Sequence, residues 1–276
     1  MKEIVVLYSG GTDSTCTAAL MAERFDKVHL LTFDRFGLFS VTNSKVNVKR
    51  LKDKFGENKF THKIINVDRL FKKVSYSKYL YNFIKYRFLL LSTCGLCKLA
   101  MHIRSLIYCL ENNINQVCDG ANKNMPLFPA QMIEVINEIK NMYSRYGISY
   151  SIPVFEFNQP KNIGYLDRIN PKILQLQVFE HKSDYKNPTA GEILFKMGIF
   201  PAKNVKGTKI DRQMQARCFQ LILFNIFVLW YYLPTNKLGR YKEMCVNFYK
   251  EKMQYFENLI DEYLKKAEKS RLSRLL

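Results

Sequence analysis

The chain opens with KEIVVLYSGGTDSTCTAALMAE, an apolar strand that turns through Ser9-Gly10-Gly11-Thr12-Asp13-Ser14 into a helix. No other feature limits the possible folds as strongly. The unbroken apolar run from Ile4 to Leu7 is what a strand buried on both faces of a parallel sheet requires. The glycines let the backbone turn tightly and leave its N–H groups open to an anion. A helix starting near Ser14 aims its unsatisfied N–H groups and positive dipole end at that anion. Ser9, Thr12 and Ser14 add hydroxyl donors, and Asp13 offers a carboxylate suited to Mg²⁺. The whole arrangement suits the phosphates of a nucleotide. The GxxxxGKS/T pattern is absent, so this is not the ordinary kinase or GTPase loop.

The segments that follow alternate. KEIVVLY and KVHLLTFD read as strands, with a helix from Ser14 to about Phe25 between them. A helix over Asn43 to Phe55, a strand at His62 to Val67 and a long helical stretch through Leu89 to Leu110 come next. A short strand at Gln116 to Cys118 ends in Asp119-Gly120, followed by a helix near Ala130 to Tyr143 and a strand at Tyr150 to Phe155. Strands alternating with helices imply an α/β fold with a doubly wound parallel sheet. Ligands of such sheets sit at the carboxyl ends of the strands. Ser9 to Ser14, Asp34 and the run Asp119 to Asn122 all fall there, where Asp34 either reads the ligand or caps the strand.

From about Asn158 the pattern changes. Pro160, Pro171, Pro188 and Pro201, with Gly164, Gly191, Gly198 and Gly207, cut the chain into short elements. After Gly207 it turns helical, with Asp211 to Tyr232 as one candidate helix. Tyr249, Met253, Phe256, Ile260, Tyr263 and Ala267 then recur at four-three spacing as one stripe on a final helix. Such a stripe packs onto the domain or onto a second subunit, so a homo-oligomer is one expectation. The division expected is a nucleotide-binding domain over 1–157 and a mainly helical region over 158–276 for substrate binding or oligomerisation.

Composition adds two bounds. An apolar fraction of 47% and a charged fraction of 24% are those of an ordinary globular protein. Met1-Lys2-Glu3 leads straight into the first strand without a signal-peptide pattern. The longest apolar stretch, Cys218 to Leu233, is interrupted by Gln220 and Asn225 and is short for a bilayer. The expected location is the cytoplasm, without membrane contact. A formal charge of +19 favours a polyanionic partner, or reflects the lysine-rich composition of an AT-rich genome. Lys72 to Phe88 interleaves cations with Tyr76, Tyr79, Tyr81, Phe83 and Tyr86. It reads as an amphipathic helix with snorkelling lysines or as a base-stacking surface.

Thr93-Cys94-Gly95-Leu96-Cys97-Lys98 is the second chemical signal. Two thiolates three positions apart can grip a metal or cluster, or form a redox pair. Lys98 could neutralise pyrophosphate, or be a solvated lysine. Cys218, in Arg212-Gln213-Met214-Gln215-Ala216-Arg217-Cys218, sits among cationic groups expected to lower its pKa. It reads as a third ligand, a sulfur-carrying nucleophile or a core cysteine, with Arg212 or Arg217 as an anion contact. A structural zinc would need a fourth ligand from Cys109, Cys118 or His102. Cys109, Cys118, Cys16 and Cys245 otherwise read as packing residues, and free thiols fit a reducing compartment.

The string SGGTDS resembles the PP-loop of the ATP pyrophosphatase superfamily, whose members share the HUP-like nucleotide-binding fold. The order CxxCK, helix, strand, Asp119-Gly120-Ala121-Asn122 is similar to its sulfur-insertion enzymes that make a thiolated nickel-pincer cofactor. It is similar also to its cluster-bearing tRNA thiolases, which share the loop and differ at the second motif. The resemblance covers roughly the first 125 residues, with only short matches beyond, and it implies tRNA as the natural polyanionic partner. It implies ATP and Mg²⁺ bound at Ser9, Gly10, Gly11, Thr12, Asp13 and Ser14, with Asp34, Gly120 and Asn122 contributing to the nucleotide site. It implies cleavage of ATP between the α and β phosphates, adenylation of a substrate oxygen, and displacement of AMP by a nucleophile. A sulfur nucleophile would draw on a sulfur donor through a 4Fe-4S cluster on Cys94, Cys97 and Cys218, with Asp13, Lys98 and Cys218 acting in catalysis. Two other readings stay open: an amide- or nitrile-forming ligase that uses ammonia, with structural Zn²⁺, and a non-catalytic nucleotide- or RNA-binding protein.

Overall fold

Strand β1 (Glu3–Leu7) runs into α1 (Thr12–Ala22), β2 (Lys27–Asp34), a two-residue β3 (Leu38–Phe39), α2 (Ser44–Phe55) and β4 (Phe60–Asn66). Then come α3 (Asp68–Tyr76), α4 (Tyr79–Tyr86), α5 (Leu96–Glu111), β5 (Gln116–Asp119), α6 (Ile133–Arg145) and β6 (Ser149–Ser151). In this computed structural model the described residues are 1–86, 95–124, 128–160, 187–219 and 238–276. Cys94, the start of the helical stretch from Leu89, Gly164, Pro171 and most of the apolar run Cys218 to Leu233 lie outside them.

The sheet is parallel throughout, in the order β4-β2-β1-β5-β6. It is doubly wound. Because β1 pairs with both β2 and β5, the winding reverses between β1 and β5, and a crevice opens at their carboxyl ends. Alternation along the strands divides the core between the two faces. Val5, Leu7, Leu31, Phe33 and Val117 pack to one side with α3, α5 and α6, while Ile4, Val6, Val28, Leu30 and Cys118 pack to the other with α1 and α2.

The C-terminal part adds α7 (Ala190–Lys196), α8 (Lys209–Met214), β7 (Arg217–Cys218) and a long α9 (Leu238–Lys266). A capping box between Thr189 and Glu192 starts α7, which packs on α1. The stripe Tyr249, Met253, Phe256 and Ile260 on α9 is buried in the core it shares with α5 and α6, so it packs onto its own domain. Ala267, the last member of the expected stripe, lies beyond the helix with a left-handed φ of 46°. No helix among the described residues is long and apolar enough to cross a membrane.

Three elements differ from the sequence expectation. The helix expected over Asp211 to Tyr232 ends at Met214, because Gln215 is extended and β7 pairs antiparallel with β3. Met214 is fully buried against the Ser9–Ser14 loop, and that contact overrides the helical preference of the residues that follow. The described part of the segment Lys72 to Phe88, which ends at Tyr86, forms two helices, α3 and α4, which break at Ser77-Lys78 where Lys78 takes a φ of 55°. The strand expected at Tyr150 to Phe155 is only Ser149–Ser151, after which the chain turns.

Candidate functional site

The Ser9–Ser14 loop is held from inside by its own hydroxyls. The Ser9 and Ser14 hydroxyls lie 3.0 Å apart, the Gly11 N–H donates to Ser9 Oγ at 3.2 Å, and Ser14 Oγ donates to the Gly11 carbonyl at 3.1 Å. From α2, Asn47 Nδ2 donates to the Gly10 carbonyl at 2.8 Å. Gly10 has a φ of 83°. Gly11 caps α1 without a side-chain hydrogen bond, so the first N–H groups of that helix remain available to an anion. Burial raises the Asp13 carboxyl to about 6, with Lys206 working in the opposite direction.

Across the crevice, the loop after β5 supplies the opposing wall. Gly120 lies so close to α1 that a Cβ there would sit 2.7 Å from the Ser14 nitrogen. The Asp119 carboxylate, almost fully buried, pairs with Lys98 at 2.9 Å, accepts the Tyr150 hydroxyl at 2.9 Å and accepts the Ala121 N–H at 2.7 Å. Burial alone would raise its pKa, but Lys98, His102 and Tyr150 more than offset that, and the pKa is lowered. Burial pushes His102 down to about 3, so it stays neutral at its 3.4 Å approach to Asp119. Its Nδ1 lies 3.2 Å from the Tyr143 hydroxyl, and the Tyr143 ring stacks on Tyr150. This buried set holds Lys98 at the crevice.

A cavity of 350 Å³ occupies the space between the two loops. Ser9, Gly11, Thr12, Asp13, Ser14, Lys98, Asp119 and Gly120 line it, with Leu38, Gln215 and Ala216 closing one side. Its size is in the range of small-ligand sites. Asp34 ends β2 and Asn122 follows β5, but neither lines the cavity. Asn122 instead ties the loop together, accepting the Asn124 N–H at 2.9 Å and donating to the Phe157 carbonyl.

The cysteines sort into two groups. Cys16, Cys109, Cys118 and Cys245 are buried in the core. Cys97 and Cys218, remote in sequence, both lie against the guanidinium of Arg35, which donates to Cys218 Sγ at 3.2 Å. Both are next to the cavity, since Lys98 follows Cys97 and Ala216 precedes Cys218 by two residues. Burial works against the charge on Arg35, but the two neighbouring sulfurs outweigh it and its pKa is raised. The cation in contact with Cys218 therefore comes from the end of β2. Arg217 projects from β7 as an exposed residue, and Asp211 accepts the Gly207 N–H near the start of α8. Sequence reasoning missed Arg35, and in FDRFG nothing marks it as buried.

Residues 3–96 match the profile of the family described as Queuosine biosynthesis protein QueC. The match covers about a third of the chain and is to a PP-loop family. The matched segment takes in the PP-loop and the first three strands of the parallel sheet, and stops before Cys97 and Asp119. A search of curated proteins finds no match. Among solved structures, a predicted subunit of tRNA methyltransferase from Methanocaldococcus jannaschii is 20% identical, with a TM-score of 0.37, covering 79% of this chain and 97% of that one. The U34-tRNA thiolase NcsA from Methanococcus maripaludis, with its 4Fe-4S cluster, is 15% identical, with a TM-score of 0.36, covering 92% of this chain and 73% of that one.

Proposed function

We propose that this PP-loop protein uses ATP to adenylate an oxygen of its substrate and then replaces that oxygen with sulfur. The observation that carries the reading is the convergence of Cys97 and Cys218 at the rim of the PP-loop cavity. In the first step the substrate oxygen attacks the α-phosphorus, the bond to the bridging oxygen breaks, and pyrophosphate leaves. In the second, sulfur bonds to the activated carbon, the carbon–oxygen bond breaks, and AMP carries the oxygen away.

The N–H groups at Gly10, Gly11 and the start of α1 hold the leaving pyrophosphate, with Asp13 acting through Mg²⁺. Lys98, oriented by Asp119, neutralises charge on the phosphates. Catalysis in such a site is mostly positioning and charge neutralisation. The sulfur donors present fit a soft-ligand site. Cys94, Cys97 and Cys218 would hold a 4Fe-4S cluster, which when bound supplies an iron with an open position for sulfide. Among the described residues no third ligand completes the set, and Cys94 is outside them. Zinc would need a fourth donor, whereas Cys109 and Cys118 are core residues and His102 faces Asp119.

A tRNA acceptor is supported by the +19 charge and by Phe36, Phe39 and Phe219, which are exposed around the β3–β7 pair beside Cys218. Open aromatic faces among cations suit unstacked bases. The match to the QueC profile favours a second reading, an ammonia-using amide- or nitrile-forming ligase with structural zinc.

Metal and acid-labile sulfide content, read with a visible spectrum on protein purified without oxygen, separates the two. Iron and sulfide at about four each per chain, lost in Cys97→Ser and in Cys218→Ser, is the expected result. Zinc, or neither metal, turns the reading to the ligase.

A further inference from the structure

We propose that Arg35 is the counter-cation of an anionic sulfur group held at Cys97 and Cys218. The inference rests on the sulfur-transfer reading and assigns a role to a residue outside the cysteines and the PP-loop.

The guanidinium is a permanent charge, since arginine does not lose its proton in proteins. Arg35 is only 4% exposed. Burying such a charge is costly unless it finds an anion and fills its donor sites. Among the described residues no carboxylate lies within ion-pair reach of it. Asp68 accepts the Phe36 N–H instead. Arg35 Nη1 donates to the Phe36 carbonyl at 2.6 Å, Nη2 to Cys218 Sγ at 3.2 Å, and the guanidinium also lies against Cys97. Its Nε is buried without an acceptor. One face of the guanidinium is covered by the Phe71 ring, 4.5 Å away.

The stacking fixes the plane and aims the remaining edge at the two sulfurs. Neutral thiols are weak acceptors and give a buried cation little compensation. An anion spread over several sulfur atoms supplies both the charge and the further acceptors that this edge lacks. Guanidinium, more weakly hydrated than ammonium, suits such a diffuse partner. Two groups share that chemistry: a thiolate-bound iron–sulfur cluster, and a persulfide on either cysteine.

The test compares wild type with Arg35→Gln and Arg35→Lys, purified without oxygen and supplied either with iron and inorganic sulfide, for the cluster, or with polysulfide, whose sulfane sulfur passes to a thiolate as a shorter polysulfide leaves, for the persulfide. Iron with acid-labile sulfide reads the cluster, and thiocyanate formed on adding cyanide reads the persulfide. Retention against a chelator or a thiol wash is then followed. ATP affinity of the same samples reports the fold, because Arg35 does not line the nucleotide cavity. Outer-shell partners of a metal site are worth about tenfold in retention, and that is the loss expected in Arg35→Gln. Arg35→Lys, which keeps the charge, is expected to retain more than Arg35→Gln. If Arg35→Gln fails to fold, the comparison of wild type with Arg35→Lys decides, a modest loss supporting the role. Equal retention in wild type and both folded variants overturns the role of Arg35 alone. A wild type that takes up neither cluster nor persulfide overturns the sulfur-transfer reading itself, and the Arg35 role with it.

Discussion

Gly10→Ala is expected to lower ATP-dependent pyrophosphate release about a hundredfold in kcat/KM, because the loop must move by about 1 Å to admit the methyl group. A Cβ at Gly10 would sit 2.3 Å from the Met214 carbonyl oxygen and 2.6 Å from the Ser44 Cα, and the φ of 83° is itself strained for alanine. Both neighbours are backbone and cannot swing aside. Gly120→Ala acts from the other wall, where the new carbon would meet the Ser14 nitrogen at 2.7 Å and the Asp13 carbonyl carbon at 2.9 Å. Its effect is expected on nucleotide affinity first, since the Ser14 N–H belongs to the first turn of α1. Pyrophosphate release at saturating Mg²⁺, with a thermal melt to check the fold, measures both. Wild-type kcat/KM in folded Gly10→Ala protein would show that this loop does not hold the phosphates.

Asp119→Ala is expected to cost about 3–5 kcal/mol of stability, the range for removing one partner of a buried ion pair. The loss leaves Lys98, the Tyr150 hydroxyl and the Ala121 N–H without their acceptor. It corresponds to a melting temperature lower by about 10 °C. The pH dependence has a definite sign. Asp119 has a lowered pKa in the fold, so its contribution is complete above the ordinary carboxylate pKa of about 3.9 and disappears as pH falls through the lowered value. Wild type therefore loses stability in that acid window, and Asp119→Ala loses less there. A melting temperature for Asp119→Ala within a degree or two of wild type would rule out the buried network as a principal support of the site.

Much of this architecture is legible in the sequence, for physical reasons. Ile4 to Leu7 is an unbroken apolar run and Val28 to Phe33 is interrupted only by His29 and Thr32, and burial on both faces of a parallel sheet leaves little choice about what they form. The glycine turn between β1 and α1 needs no distant partner to be recognised. Elements whose state depends on remote contacts are another matter. Residues 211–218 read locally as helix, yet Met214 is pinned beneath Gly10, and Arg217 and Cys218 are drawn into pairing with Phe39 and Leu38. The break between α3 and α4 at Lys78 is equally silent, because a lysine in the left-handed region has no sequence signature. Arg35 is the clearest case: its burial is created by Phe71 and Cys218, neither of which is near it in the chain. Asp119 can be placed at a strand end, but its partners His102 and Tyr150 arrive from α5 and β6.

The proposed function requires that ATP is split between its α and β phosphates at the PP-loop. Product analysis tests it most directly: protein purified without oxygen, Mg²⁺-ATP, inorganic sulfide and bulk tRNA, with the nucleotide and phosphate products separated and counted. AMP and pyrophosphate in equal amounts, absent in Gly10→Ala, are the predicted result. ADP with inorganic phosphate would contradict the account, because it would place the cleavage between the β and γ phosphates.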